Sequence, residues 1–502
     1  MNINFKLNYF ITPLKFLSLS KKYSILYFFL SVLSGLLQTL SVFAIYPVLL
    51  KLKLFQLDDV GSTFVYFYKN FYLDIFYLKD TYVSVFMFFI FLITLSSFIN
   101  LYIKISSIRI ATKLTEKLRL DYIKSTLEAN WSYFVTKKTG EIVNTVINES
   151  GKTINGFVDT VYFLSSIVQF FILFIFVFFV SNLVGLYSIF VGVIYLLVFR
   201  IWGRRAKKYG FIATKLLKNI SNSIFEGFKN IKTIKITGFS DIFFNNLKDI
   251  VSSTKKNDIR LFETTAYPES LKEPFFAIFI SIGLISAFTY DIVAFSSLVT
   301  LLALFQRAMS KLSTSFNLYL TVKKMEPFYD SYFNNLKYVR KFFVIKKNNF
   351  DFDFKNKISF NDVSFKYKND YILKNISVTF NKESFITVFG KSGSGKTTMI
   401  DLILNLLDPS SGSILVDNKD IKNINNVKWR SLVGCVTQDH YFFNDSVYNN
   451  LILGSKRDDI ELIKILDISL CGDFVKSIDD AKKTFMGESG SKFSGGQKQR
   501  LS

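Results

Sequence analysis

Residues 384–407 read SFITVFGKSGSGKTTMIDLILNLL, and the order of residue types in this stretch decides the fold of the chain's last third. A short apolar run, SFITVF, feeds a glycine-rich turn, which in turn feeds the apolar segment TMIDLILNLL. Apolar strand, glycine loop and helix in that order belong to a parallel α/β domain. Gly390, Lys391, Ser392, Gly393, Ser394, Gly395, Lys396 and Thr397 fit the pattern glycine, four residues, Gly-Lys-Ser/Thr. Glycines are needed because the backbone must turn with its N–H groups facing oxygens, and side chains would block that approach. The helix that follows, opening through Thr397 and Thr398, adds its positive end beneath the phosphates. Lys396 supplies a mobile charge for the β- and γ-phosphates, and the Thr397 hydroxyl suits Mg2+.

Working outward, the composition changes near Ile358. Between there and the loop lie two further strand-like runs, ISFNDVSFKY at 358–367 and ILKNISVTF at 372–380. Residues 310–355 form a mixed, charged, aromatic connector. Before it come long apolar runs of membrane length: Ser24 to Leu50, Tyr82 to Ile105, Phe157 to Val180, Leu183 to Trp202, Pro274 to Tyr290 and Ile292 to Leu304. A spanning helix needs roughly 20 apolar residues, so about six spans are expected. The connections sort by charge. Ser181-Asn182 and the turn at Asp291 carry no Lys or Arg, whereas segments 106–150 and 203–272 are rich in both. The positive-inside rule puts those long segments and the N-terminus in the cytoplasm.

The bulk numbers agree with this division. Half of the 502 residues are hydrophobic and 17% are aromatic, natural for a chain with spans. A formal charge of +23 admits nucleic acid, anionic headgroups or a Lys-rich background. The basic residues are spread along the chain without a compact block, which fits background composition plus cytoplasmic loop charge; no nucleic-acid partner is expected. Cys435 and Cys471 are the only cysteines, too few for a disulfide framework or a zinc site. The first 24 residues lack a small-residue cleavage site and read as an interfacial lead-in. Gln38, Asp159 and Gln169 are polar groups in or near spans, where interhelical hydrogen bonding and cavity lining are the two readings.

Companions of the glycine loop narrow the reading. Tyr367 closes VSFKY upstream, Gln438 lies in CVTQDHYFF downstream, and the chain's last residues contain FSGGQKQR. With these in order and spacing, the chain from Ile358 onward strongly resembles the nucleotide-binding part of an ABC transporter. The resemblance implies that Tyr367 stacks on adenine and that Gln438 contacts Mg2+ and the attacking water. It also implies that Ser494, Gly495, Gly496 and Gln497 are the signature turn, which faces the nucleotide held by the other subunit. Lys396 and Gln438 are then the catalytic candidates, with Thr397 and Gln438 at the metal. His440, the only histidine, sits where the family has no catalytic one and reads as a surface or interface side chain.

The membrane part resembles the family's exporter type, six spans fused ahead of the nucleotide domain. Residues 118–149 and 224–238 resemble its two cytoplasmic coupling regions. TLSVFAIYPVLL in the first span resembles exporters that flip lipid-linked saccharides. The implied architecture is an all-α six-helix transmembrane domain (1–320), a linker (321–357) and a cytosolic α/β P-loop ATPase domain (358–502). The implied activity is ATP-driven export or flipping of a lipid, lipid-linked saccharide, peptide or amphiphile by a dimer in a bacterial plasma membrane. Homodimer is the default partner arrangement, and an ATP-binding, non-hydrolysing regulator is the alternative. In the family a strand-borne aspartate, a neighbouring glutamate and a later histidine follow the signature. None of these falls within the 502 residues, which are therefore expected to be part of a longer product.

Overall fold

The computed structural model describes residues 8–43, 81–289, 295–343, 353–367, 370–438, 440–453 and 458–502. Two compact units part between residues 344 and 345. The first is helical. Its helices are α1 (Asn8–Leu17), α2 (Lys21–Phe43), α3 (Tyr82–Leu127), α4 (Trp131–Thr136) and α5 (Thr139–Asn144). A π-helical turn, Thr145–Glu149, leads into α6 (Ser150–Val180). Then follow α7 (Asn182–Lys229), α8 (Ile231–Ile236), α9 (Ser240–Thr289) and α10 (Phe295–Arg340).

Among the described residues, five helical stretches are long and apolar enough to cross a membrane: Thr12–Ser41, Phe86–Leu127, Thr139–Phe178, Asn182–Lys229 and Ser240–Ala287. The sixth expected span begins at Ile292; residues 290–294, with the turn at Asp291, lie outside the described residues. Arg307, Lys311 and several serines lower the apolarity of α10, which begins at Phe295. α7 has 48 residues, about 72 Å at 1.5 Å per residue, against a hydrocarbon core of about 30 Å. Such helices must run well beyond the bilayer, as the charge pattern requires. Ser181 makes the tight turn between α6 and α7, its hydroxyl accepting from the Val184 N–H at 3.4 Å.

α10 packs along α6 and α7, α9 along α7, and α2 along α6 and α3. The apolar seam of α7 and α10 holds Tyr195, Phe199, Phe305, Met309 and Phe316, with the Tyr195 hydroxyl 3.1 Å from Ser313 Oγ. A second core, around α4 and the charged ends of α3 and α10, joins the Tyr122 and Tyr133 hydroxyls at 3.2 Å. There the Tyr332 hydroxyl donates to the Leu118 carbonyl at 2.7 Å. Buried Glu149, closing the π turn, accepts from Ser331 at 2.8 Å and Asn335 at 3.1 Å, so its carboxyl oxygens find protein donors.

The second unit begins with β1 (Lys357–Tyr367) and β2 (Asp370–Asn381), followed by α11 (Lys396–Ile403), β3 (Ser411–Val416) and β4 (Lys419–Asp420). α12 (Asn426–Ser431), α13 (Val447–Ile452), α14 (Asp459–Ile468), α15 (Ile478–Lys483) and α16 (Gly495–Leu501) complete it. The sheet runs β2-β1-β3-β4, antiparallel throughout, over a core of Phe360, Val363, Phe365, Leu402, Ile414 and Trp429.

Here the structure differs from the parallel sheet expected of the sequence. Residues 384–389, read as the strand feeding the glycine loop, and residues 433–438, which lead to Gln438, form no strand. Phe385 and Phe389 are 97% and 89% exposed. An interior strand needs ladder partners on both sides, and no described residue offers them to these two segments.

Candidate nucleotide-binding site

Local backbone chemistry builds the loop. Gly393 and Gly395 lie at φ +81° and +91°, in the left-handed region that favours glycine. A Cβ on Gly395 would come within 2.8 Å of Leu373 and 2.9 Å of Ile372, so the loop is pressed onto β2. Gly395 caps α11, whose first backbone bond runs from Met399 N–H to the Gly395 carbonyl at 2.9 Å. Lys396 Nζ donates to the carbonyls of Gly390 and Lys391 at 2.8 and 2.9 Å. The ammonium therefore sits at the loop's mouth, held by neutral acceptors. Lys391, Ser392, Gly393, Ser394 and Thr397 are exposed, and Thr398 is buried beneath them.

Tyr367 ends β1 and packs edge-on against Phe365, ring centroids 4.9 Å apart. Burial pushes its hydroxyl pKa up, and the Asp401 charge on α11 adds to that, while the Thr398 hydroxyl pulls the other way. Burial also raises the Asp401 carboxyl above its ordinary range. The fold thus brings Tyr367 to the helix that follows the glycine loop. Gln438 is exposed, and no described hydrogen bond joins it to Lys396 or Thr397.

Ser494 opens α16 with a capping box: its hydroxyl accepts from Gln497 N–H at 3.3 Å, and its own N–H donates to Gln497 Oε1 at 2.8 Å. Gly495 and Gly496 begin that helix, and a Cβ on either would meet nothing within 4 Å. Below them Leu501 anchors α16 in a core with Phe442, Val447, Leu466, Cys471 and Met486. His440 shares a hydrogen bond with Ser502 Oγ at 3.0 Å.

Of the polar residues singled out in the spans, Gln169 receives a 2.6 Å hydrogen bond from Lys311, and the Gln38 carbonyl accepts from Arg307 at 3.4 Å. Asp159 lies beside Lys324 and Thr321. Sequence reasoning passed over Asn100, Arg307 and Lys311. Only the fold brings them to Gln169 and Gln38.

A family model described as "ABC transporter" matches residues 373–502, and one described as "ABC transporter transmembrane region" matches residues 24–312. An ATP-dependent lipid A-core flippase of Syntrophus aciditrophicus (strain SB) is 36% identical over 147 residues, 29% of this chain and 24% of that protein. An uncharacterized ABC transporter ATP-binding protein of Sinorhizobium fredii (strain NBRC 101917 / NGR234) is 38% identical over 146 residues, 29% of this chain and 25% of that protein. The matched stretch therefore spans about a quarter of these curated relatives' length. A bacterial Atm1-family ABC exporter solved with ATP bound shares the fold, with a TM-score of 0.72 at 17% identity, over 96% of this chain and 83% of that one. A membrane-region match over more than half of the chain, followed by the nucleotide-binding match, establishes that this integral membrane protein belongs to the ABC transporter family.

Proposed function

We propose that the chain is one half of a dimeric exporter that uses ATP to move or flip a substrate across a bacterial plasma membrane. The observation that carries this reading is a glycine loop with Lys396 at its mouth, in a chain whose other unit is a bundle of membrane-length helices. In this reading Gly390, Lys391, Ser392, Gly393, Ser394, Gly395, Lys396, Thr397 and Thr398 take the phosphates. Tyr367 takes the base, and Thr397 with Gln438 holds Mg2+. Ser494, Gly495, Gly496 and Gln497 serve the site of a second copy.

The residues fit a triphosphate. The bare loop backbone leaves room for oxygens, and among the described residues Lys396 bonds two neutral carbonyls that it can exchange for phosphate oxygens. Bound ATP supplies a phosphoanhydride whose hydrolysis drives the cycle. The chain's part is to bind and orient: loop N–H groups and the α11 terminus hold negative charge, and Gln438 positions the attacking water. Glycine in a helix costs about 1 kcal/mol relative to alanine, yet among the described residues nothing crowds Gly495 or Gly496 to require it. Close approach by another subunit's nucleotide does require it.

The apolar spans, the first-span resemblance and the name of the flippase relative favour a lipid or lipid-linked saccharide as cargo over a peptide. The test is vanadate-sensitive ATP hydrolysis by the full-length gene product in liposomes, with lipid-linked saccharides and peptides added in parallel. Stimulation by the saccharide lipids is expected. Intact nucleotide binding with no hydrolysis under any condition would instead make the chain an ATP-binding regulator.

A further inference from the structure

Two basic side chains stand one helical turn apart inside the bundle, Arg307 and Lys311 on α10, and no acid among the described residues pairs with either. Lys311 Nζ donates to Gln169 Oε1 on α6 at 2.6 Å. The amide of Gln169 in turn donates to Asn100 Oδ1 on α3 at 3.2 Å and to Ser34 Oγ on α2 at 3.4 Å. Ser34 donates to Asn100 Oδ1 at 3.0 Å. Arg307 Nη1 donates to the Gln38 carbonyl at 3.4 Å and Ser41 Oγ at 3.5 Å, both on α2. Among the described residues no carboxylate forms an ion pair with either cation. Lys104, one turn along α3 from Asn100, adds its repulsion to Lys311.

The same helix shows what a self-balanced charge looks like. Glu326, farther along α10, pairs with Lys323 at 3.2 Å, Lys207 at 3.1 Å and Lys15 at 3.6 Å. Toward the other end of that helix, Arg307 and Lys311 meet neutral acceptors among the described residues. Depth sharpens the contrast. Gln169 lies about 16 Å along α6 from its end at Val180, about half the thickness of a hydrocarbon core. Interhelical hydrogen bonding alone would be served by Gln169, Asn100 and Ser34. Two cations add desolvation and mutual repulsion without helping that role, so their use lies with something that arrives carrying negative charge.

We infer that Lys311, positioned by Gln169, and Arg307, held by the Gln38 carbonyl and Ser41, receive the anionic headgroup of a membrane amphiphile, a phosphate-bearing lipid being the best match to a guanidinium beside an ammonium. The inference rests on the exporter reading, because it names the cargo's chemical class.

The test uses the full-length gene product in detergent, without nucleotide, exposed to equal amounts of phosphatidic acid and phosphatidylcholine; retained lipid is counted by native mass spectrometry. The expected enrichment of phosphatidic acid is about ten-fold, the scale of one charge-assisted hydrogen bond. R307Q/K311Q should bring it to about equality, whereas R307K/K311R, which keeps both charges, should retain it. No enrichment in the wild type, or enrichment that survives R307Q/K311Q, overturns the inference. Should the neutral double variant not fold, the wild type decides by salt. Enrichment unchanged on raising sodium chloride about ten-fold overturns the inference, since an electrostatic headgroup contact must weaken. Displacement of the lipid by millimolar inorganic phosphate would assign the site to soluble anions and overturn the amphiphile. Because retention needs neither binding nor hydrolysis of ATP, a chain that fails to pump can still pass this test.

Discussion

The ammonium of Lys396 lies 2.8 Å from the carbonyl oxygen of Gly390, six residues before it. Both groups are exposed, so water replaces this bond at little cost, and its loss should change stability by less than about 1 kcal/mol. Replacement by phosphate oxygens is another matter, since a charged donor meets a charged acceptor. Lys396→Ala should therefore leave the thermal midpoint of the full-length product nearly unchanged while weakening nucleotide binding at least about ten-fold. A titration with a fluorescent ATP analogue reads the second effect. Equal affinities would remove Lys396 from the site.

Gly495 and Gly496 give the opposite kind of test, because their surroundings are empty. Alanine at either position meets no atom of the described residues within 4 Å and improves helix propensity, so stability should hold or rise by up to about 1 kcal/mol. If the turn serves a second copy, ATP-dependent dimerisation and turnover should nevertheless fall about ten-fold or more. Light scattering with and without ATP measures the first. Dimerisation that survives both alanines would detach this turn from the partner's nucleotide.

The glycine loop was legible because its requirements are local: two positive-φ glycines, a lysine and a helix start lie within eight consecutive residues. The membrane-length runs were legible for a similar reason, since a hydrocarbon core imposes its length on contiguous sequence. Pairing was not legible. SFITVF has strand composition, but a strand exists only through its neighbours, and in the structure Phe385 and Phe389 stand in solvent. Lys311 was hidden differently. QRAMSKLSTSF looks like the start of a charged connector, and only helix packing brings its lysine to Gln169, 142 residues away.

Asp417 offers a pH-dependent prediction. With Asn418 it makes the two-residue turn between β3 and β4, both at positive φ, and asparagine tolerates that conformation as well as aspartate. Its slight burial works upward, but hydrogen bonds from the N–H groups of Lys355, Lys357 and Asn356 outweigh it and hold the carboxyl below the usual range. A depressed folded value means that the stabilisation is complete above the unfolded value, near 3.9, and is lost as pH falls through the folded one. Asp417→Asn should lower the thermal midpoint at pH 7 by about 2 °C, small because solvent screens an exposed carboxylate. The gap between variant and wild type should close as pH drops below about 4. A gap independent of pH would mean that charge plays no part in this turn.

Gly210 lets the backbones of α7 and α10 approach, and Gly203 on the same helix supplies the control. A Cβ at Gly210 would stand 2.5 Å from the carbonyl oxygen and 3.1 Å from the Cα of Lys324 on α10. Backbone atoms cannot swing aside, so alanine there must push α7 and α10 apart. Gly203 faces the same helix, but its Cβ would come no closer than 3.5 Å to the ring of Tyr319. Ordinary contact with a side chain brings no such strain, and the propensity gain from glycine to alanine then dominates. Gly210→Ala should destabilise the bundle by about 1–3 kcal/mol, the usual scale for overpacking, whereas Gly203→Ala should be neutral or mildly stabilising. Thermal unfolding in detergent of both variants, with the wild type alongside, separates the outcomes. The displacement should also disturb Asp159, which lies beside Lys324, so Gly210→Ala should lose most of the effect of an added Asp159→Asn, a non-additivity expected of neighbouring sites. If the two glycines respond alike, the spacing of α7 on α10 is set by something other than the bare backbone at residue 210.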